Sequence, residues 1–493
     1  MNAKYHMRVA VLIQTLLSGC ALTAISDKVG VQTPAQWRNA PSGETTADPA
    51  DLARWWKEFQ DPLLDEIIAR ALEANHDLKI AAARVREVRA LVTVAESVLF
   101  PTIEANVNGG RQKRIERVIP IPGPQGVDLA VPRTDAVTAG VTLAWEVDVF
   151  GGNRLEAQAA AAEALGAEEG RRAVQVGLLA QLATSYLELR GAQRQTAILH
   201  ENIAVQRERL RLLEAFFRAG LTNEFDIARQ QTLLRTTEGT LPVLNHLTAT
   251  LIHRLGVLLG EPPHTLEAQL GKAAPLPPAL PPLPNLLPAD LLERRPDLRR
   301  AQAEVTAAAA SLGAARADLF PKFFISLSGG LGAVSLGALP SLAEGIYALG
   351  AGLTAPIFNA GRIRANIVAA DARLAQVATN YEKVFLTALE EVENAYVAYT
   401  TTRQRREDLR QAVDAARRAH ELADAFYRRG LTDFLAVLDT QRTRLASDDD
   451  LTTVETAVAV SMATLYRAFG GGWSPTETIK PRTNTATATT GWR

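Results

Sequence analysis

The chain has 493 residues and a formal net charge of −1, with 53 lysines and arginines against 54 aspartates and glutamates, and only 6% of its residues are aromatic. Balanced charge excludes the basic footprint that nucleic-acid binding needs, so no nucleic-acid partner is expected. Few aromatics and abundant alanine suit long packed helices better than a row of large-cored globular domains.

Residues 1–19 read as a signal peptide. Lys4 and Arg8 precede a short apolar run at 9–17, followed by Ser18-Gly19-Cys20, the pattern of a secretory signal with a lipoprotein cleavage box. The run is too short to cross a bilayer as a helix. Cys20 is the sole cysteine; it has no partner for an intramolecular disulfide, and its place after Leu-Ser-Gly fits acylation by a diacylglycerol. The mature chain is then expected to begin at Cys20, with a lipid-anchored segment over 20–62. Ala21 in place of aspartate, by resemblance to bacterial lipoproteins, points to the outer membrane.

A first repeat is expected over 63–260. It holds a helix at 78–99, strands at about 102–110 and 137–150, a proline-free helix at 153–219, the turn Gly220-Leu221-Thr222 and a helix at 222–259. Over 137–150, Val137, Ala139, Val141, Leu143, Trp145, Val147 and Val149 alternate with Thr138, Gly140, Thr142, Ala144, Glu146 and Asp148, the signature of a strand with one apolar face. Such a face suits lipid outside and water inside. A soluble sandwich would alternate too, although nothing else in the chain reads as a second sheet to cover it. At 1.5 Å per residue the long helix is about 100 Å.

A linker at 261–288, with nine prolines, reads as an extended strap. The second repeat, 289–472, runs through a helix at 298–319, strands at about 323–332 and 346–358, a helix at 362–429, the turn Gly430-Leu431-Thr432 and a helix at 432–469. In both turns glycine supplies the left-handed residue that stops one helix, and threonine is positioned to cap the next. The tail, 473–493, is threonine-rich and reads as disordered.

The halves are in register. Asn75-His76-Asp77-Leu78 and Leu99-Phe100-Pro101 recur as Arg295-Pro296-Asp297-Leu298 and Leu319-Phe320-Pro321; Tyr186 pairs with Tyr396, and Gly260 with Gly470. In each half the two shorter helices laid end to end nearly match the long one, so two layers of equal length are expected.

With this duplicated order of strand pair, long helix and half-helices, the chain resembles the TolC-like outer membrane efflux proteins, and within them the lipidated outer membrane components of resistance-nodulation-division pumps. The resemblance implies a mainly α fold with a β-barrel part: a homotrimer whose four strands per chain close a twelve-stranded outer membrane barrel, continued by a long periplasmic α-helical barrel. Strand counting alone also allows dimers or tetramers. It implies a passive exit duct for drugs or other small molecules, without catalytic residues, metal or cofactor apart from diacylglycerol and N-acyl lipid on Cys20. The partners implied are a periplasmic adaptor, an inner-membrane pump and outer membrane lipid. Carried over to this sequence, Gly220, Leu221, Thr222, Gly430, Leu431 and Thr432 are adaptor-contact tips, and Leu435, Asp439 and Arg442 line a periplasmic gate. Asp439 and Arg442 also have the spacing of an ordinary i, i+3 surface ion pair. In the first half Arg229 stands opposite Asp439 and Thr232 opposite Arg442. Alternative readings are the outer component of a protein-secretion or heavy-metal exporter, and a non-conducting lipid-anchored scaffold.

Overall fold

A computed structural model describes residues 29–41, 46–47, 51–112, 134–284, 286–333 and 345–474. In chain order the elements are β1 (Thr46–Ala47), a 3-10 segment (Asp51–Phe59), α1 (Pro62–Ala74), α2 (His76–Ser97), β2 (Thr102–Gln112), β3 (Thr134–Val147), α3 (Gly152–Arg218), α4 (Glu224–Glu238), α5 (Leu241–Leu258), β4 (Leu283–Pro284), α6 (Pro296–Ala317), β5 (Lys322–Ala333), β6 (Gly345–Thr354), α7 (Arg362–Arg428) and α8 (Phe434–Ala468). Two compact units emerge. One is built from Val85–Gly166 and Ala301–Tyr381, the other from Gly30–Arg84, Ala167–Arg300 and the chain from Glu382 onward.

The first unit carries an antiparallel sheet in the order β2-β3-β5-β6. Its register stacks like with like across the strands: Ile103 faces Leu143, Leu143 faces Leu327 and Leu327 faces Leu349. One residue along, Glu104, Thr142, Ser328 and Ala348 form the neighbouring row, which the pleat turns to the opposite face. Ile103, Val107, Tyr347 and Leu349 are all more than two-thirds exposed. Among the described residues no second sheet covers them. The strand-to-helix corner is held by Asp148, whose carboxylate accepts from the Asn153 and Arg154 backbone N–H groups at 3.3 and 2.9 Å, while Phe150 stacks on Phe320 at 4.7 Å.

The second unit contains the main core. Trp55 lies flat on Tyr466, 5.2 Å between ring centres, among the buried Leu52, Phe59, Leu64, Ile67, Leu182 and Phe469. Asp61 caps α1 through the Leu63 and Leu64 N–H groups and accepts from the Tyr186 hydroxyl at 2.7 Å. The repeats close in the same way. Asn75 Nδ2 donates to the Leu258 carbonyl and Arg295 Nη1 to the Ala468 carbonyl, both at 2.8 Å.

Three sequence expectations need correction. The helix expected over 222–259 is two helices, because Pro242 lacks the N–H that would bond the Glu238 carbonyl and Gly239-Thr240 forms a turn there. The linker is not simply extended: Pro263–Leu266 and Glu267–Leu270 each form a helical turn, and β4 pairs in parallel with β1. Trp473 is not part of a loose tail. It is 3% exposed, with the Arg172 and Arg299 guanidiniums over its ring at 4.6 and 5.3 Å, and both arginines share Glu169 at 2.6 and 2.8 Å. Trp473→Ala is expected to cost about 3–5 kcal/mol of unfolding free energy, read as a lowered thermal midpoint by circular dichroism in detergent. A midpoint equal to wild type would return the residue to the tail.

Candidate functional site

Each long helix ends in a left-handed glycine. Gly220 has φ +72° and Gly430 φ +68°, and the next N–H reaches back to close the last turn: Leu221 to the Phe216 carbonyl and Leu431 to that of Phe426, both 2.9 Å. This is the 6→1 bond of a Schellman stop. Leu221 and Leu431 are left 73% and 70% exposed. The following helices are capped one residue later than expected. Asn223 accepts from Asp226 N and Asp433 from Ala436 N, because the side chain at that position reaches the third free amide of the helix. Thr222 instead donates its hydroxyl to Asp226 at 2.9 Å, and Thr432 is half-buried.

Beyond the second turn, α8 has two distinct faces. Phe434, Val437, Leu438 and Gln441 are buried, whereas Leu435, Asp439 and Arg442 are exposed along one stripe. Neither Asp439 nor Arg442 has an ionic partner within the chain among the described residues, so the i, i+3 pair that their spacing allows is not formed. The matching stripe of α4 holds Phe225, Arg229 and Thr232, with the Arg229 guanidinium over the Phe225 ring at 4.9 Å.

Under these stripes the helices share a small apolar cluster: Leu213 of α3, Ala423 of α7 and Phe434, Val437 and Leu438 of α8, with Ile227 and Leu233 of α4 and Tyr427 of α7 against it. Beside it run partly buried polar ties that the sequence did not disclose. Arg209 of α3 donates to Asp424 of α7 at 2.9 Å and to Gln441 of α8 at 2.8 Å. Asp448 of α8, almost fully buried, takes Arg417 of α7 at 2.8 Å and Arg444 at 3.6 Å. Local periodicity cannot find such ties, because their partners lie in different helices. A groove of roughly 970 Å³ borders this region, lined by Val205, Leu212, Phe216, Leu221, Tyr427 and Arg428 among others. Among the described residues no group of three or more histidines, cysteines, aspartates or glutamates is placed to hold a metal ion, and no described helix is long and apolar enough to cross a membrane. Cys20 lies outside the described residues.

Each repeat thus supplies two strands of one antiparallel sheet and one helix of 67 residues. The model of the family described as "Outer membrane efflux protein" matches residues 67–261 and 287–471. The chain belongs to that family. It is 35% identical over 462 residues to a pyoverdine export outer membrane protein, OpmQ, of Pseudomonas aeruginosa, covering 93% of this chain and 95% of the relative. It is 31% identical over 467 residues to the solvent efflux pump outer membrane protein SrpC of Pseudomonas putida, covering 93% and 97%. Among solved structures it superposes on the outer-membrane channel OprN with a TM-score of 0.81 at 31% identity, covering 90% of this chain and 98% of that one. The open state of the Neisseria gonorrhoeae MtrE channel matches with a TM-score of 0.77 at 26% identity, covering 90% and 96%. This outer membrane efflux protein therefore has the fold of the TolC-like channels, whose family acts at the outer membrane.

His420 of α7 sits inside this helix cluster, nearly buried, with Nδ1 3.4 Å from the Thr440 hydroxyl. Burial, then the Arg209 and Arg444 charges, push its pKa below 6.5, against a smaller opposing pull from Asp424 and Glu421. The folded state thus favours the neutral ring and the unfolded chain binds more protons. Its contribution is complete above about pH 6.5 and lost as pH falls from there through the folded value. Amide protection around α7 and α8, corrected for intrinsic exchange, is expected to fall between pH 7.5 and 5 in wild type and to fall less in His420→Gln. Identical pH profiles would remove His420 as the cause.

Proposed function

We propose that this efflux protein is the passive exit duct of a tripartite pump: a homotrimer with no catalytic residue, receiving small organic molecules from a periplasmic adaptor and an inner-membrane transporter. The observation that carries this reading is the β2-β3-β5-β6 sheet, in which β2 and β6 are both edge strands and the apolar rows have no cover. In lipid an unpaired backbone group costs several kcal/mol, so the edges must be closed by other copies. Three copies make twelve strands. The names of the relatives, which concern pyoverdine and solvent export, support small organic cargo.

In this reading Cys20 carries the diacylglycerol and N-acyl lipid. The exposed leucines after Gly220 and Gly430, with the groove beside them, are the adaptor-contact tips, and Leu435, Asp439 and Arg442 narrow the periplasmic end. Detergent-corrected light scattering of the purified protein is expected to give three chains per particle, and intact mass of the same sample an acylated N-terminus at Cys20. A monomeric particle overturns the barrel; an unmodified mature N-terminus overturns the anchor.

The gate gives a separate measurement. Truncating Leu435 and Asp439 together removes apolar bulk and three carboxylates from a threefold neck. Leu435→Ala/Asp439→Ala is expected to raise single-channel conductance by about twofold or more in planar bilayers and to sensitise cells to large antibiotics such as vancomycin. Wild-type conductance in the double variant would mean that these residues do not line the constriction.

A further inference from the structure

We propose that Arg229, laid against Phe225 on α4, lines the same neck as Leu435, Asp439 and Arg442 and gives it an excess of positive charge, so that the duct favours anions. The inference rests on the pore reading above and adds to it a second, first-repeat set of selectivity residues.

Internal duplication supplies the geometry. Phe225, Arg229 and Thr232 occupy in α4 the positions that Leu435, Asp439 and Arg442 occupy in α8, 210 residues on. Both helices follow a left-handed glycine and an Asx cap. Both reach one apolar cluster, to which α8 gives Phe434, Val437 and Leu438 and against which Ile227 and Leu233 of α4 pack. In the single chain α4 also exposes Glu224, Ala228 and Gln231, whose counterparts Phe434, Leu438 and Gln441 are buried in α8. In a closed ring of copies a neighbouring chain covers that face of α4 as α3 covers it in α8, and the stripe of Phe225, Arg229 and Thr232 is then turned as that of Leu435, Asp439 and Arg442 is.

The chemistry of the first-repeat stripe is unusual for a surface. Phe225 is 65% exposed, an apolar ring that water disfavours, and a flat guanidinium 4.9 Å from its centre covers part of it. That contact holds the charge without neutralising it. Nearby charges are otherwise engaged: Asp226 accepts from Thr222 at 2.9 Å, and Arg235 pairs with Glu238 at 2.9 Å. Among the described residues Arg229 has no carboxylate partner in its own chain. At these six stripe positions each chain therefore offers two guanidiniums, Arg229 and Arg442, against the single carboxylate of Asp439. Repeated around an axis, in a passage walled by protein rather than water, that imbalance sets the sign of the local potential and the ions concentrated there.

The test uses the purified full-length protein in planar bilayers under a potassium chloride gradient. Wild type is expected to prefer chloride. Arg229→Gln should raise the potassium-to-chloride permeability ratio by about threefold or more, Asp439→Asn should lower it, and Arg229→Lys, which keeps the charge and loses the flat stacking, should stay near wild type. A ratio unchanged in Arg229→Gln while Asp439→Asn shifts it overturns the role of Arg229 and leaves the gate standing, as does a wild-type duct that prefers potassium. If no variant conducts, the gate-widening Leu435→Ala included, the pore reading itself falls and this inference with it.

Discussion

Each repeat is closed by a side-chain amide or guanidinium donating into the end of a helix, and the rest of the duplicated fold is arranged around those two contacts. The carbonyls of Leu258 and Ala468 lie in the last turns of α5 and α8, where the helix offers them no N–H of its own. Asn75 satisfies one and Arg295 the other, with different chemistry at equivalent positions. The approach is close enough to dictate the neighbouring residue. A Cβ at Gly260 would come within 2.7 Å of the Ala74 carbonyl oxygen, and one at Gly470 within 3.1 Å of that of Arg294; both glycines have φ near +70°. Arg295 bears the greater desolvation cost, and Asp297 and Glu391 at 2.6 and 2.8 Å more than offset it, holding the guanidinium above its ordinary pKa.

The helices satisfy their backbone groups internally, but the sheet does not. β3 and β5 are paired on both sides, whereas β2 and β6 are paired on one. An edge of ten or more residues with exposed leucine, valine and tyrosine is a template for another chain, and it is tolerated only when that chain is the intended neighbour. The same strands explain why composition alone misleads. In β2 the apolar Ile103, Ala105 and Val107 alternate with Glu104, Asn106 and Asn108, so an average over the strand hides a face that is wholly apolar.

Much of this was legible in the sequence because the decisive signals are local. Period-two alternation marks β3, long proline-free runs mark α3 and α7, and Gly-Leu-Thr marks both helix-to-helix turns. The two left-handed glycines there could be read because few other residues adopt that φ. What escaped depended either on one atom or on distance. Pro242 breaks the α4–α5 ladder through a single missing N–H, and the caps fall on Asn223 and Asp433 because their side chains reach amides that Thr222 and Thr432 do not. Arg209 and Gln441 are 232 positions apart, and Trp473 meets Arg172 across some three hundred; no window of sequence contains such pairs. The gate stripe falls between these cases. Its exposure follows from helical period, while the gate role proposed for it rests on likeness to the family alone.

The two stripe-bearing helices are held by different contacts. The inner face of α8 is tied to α3 and α7 by Arg209–Gln441 and by Arg417–Asp448, the latter with a carboxylate side chain only 9% exposed. The Arg417 side chain is itself 54% exposed, so water screens that pair, and the more sheltered tie is the Arg209 guanidinium, 15% exposed, which reaches both Asp424 and Gln441. The ties of α4 are of another kind. Gln230 donates to the Gln206 carbonyl at 3.2 Å, and Glu238 pairs with an Arg207 side chain that is 64% exposed, a surface contact worth about 1 kcal/mol or less. Just beyond it the helical ladder is already interrupted at Pro242. The Glu238–Arg207 contact of α4 is thus the more open to water, and the break at Pro242 has no counterpart in α8, which runs unbroken from Phe434 to Ala468.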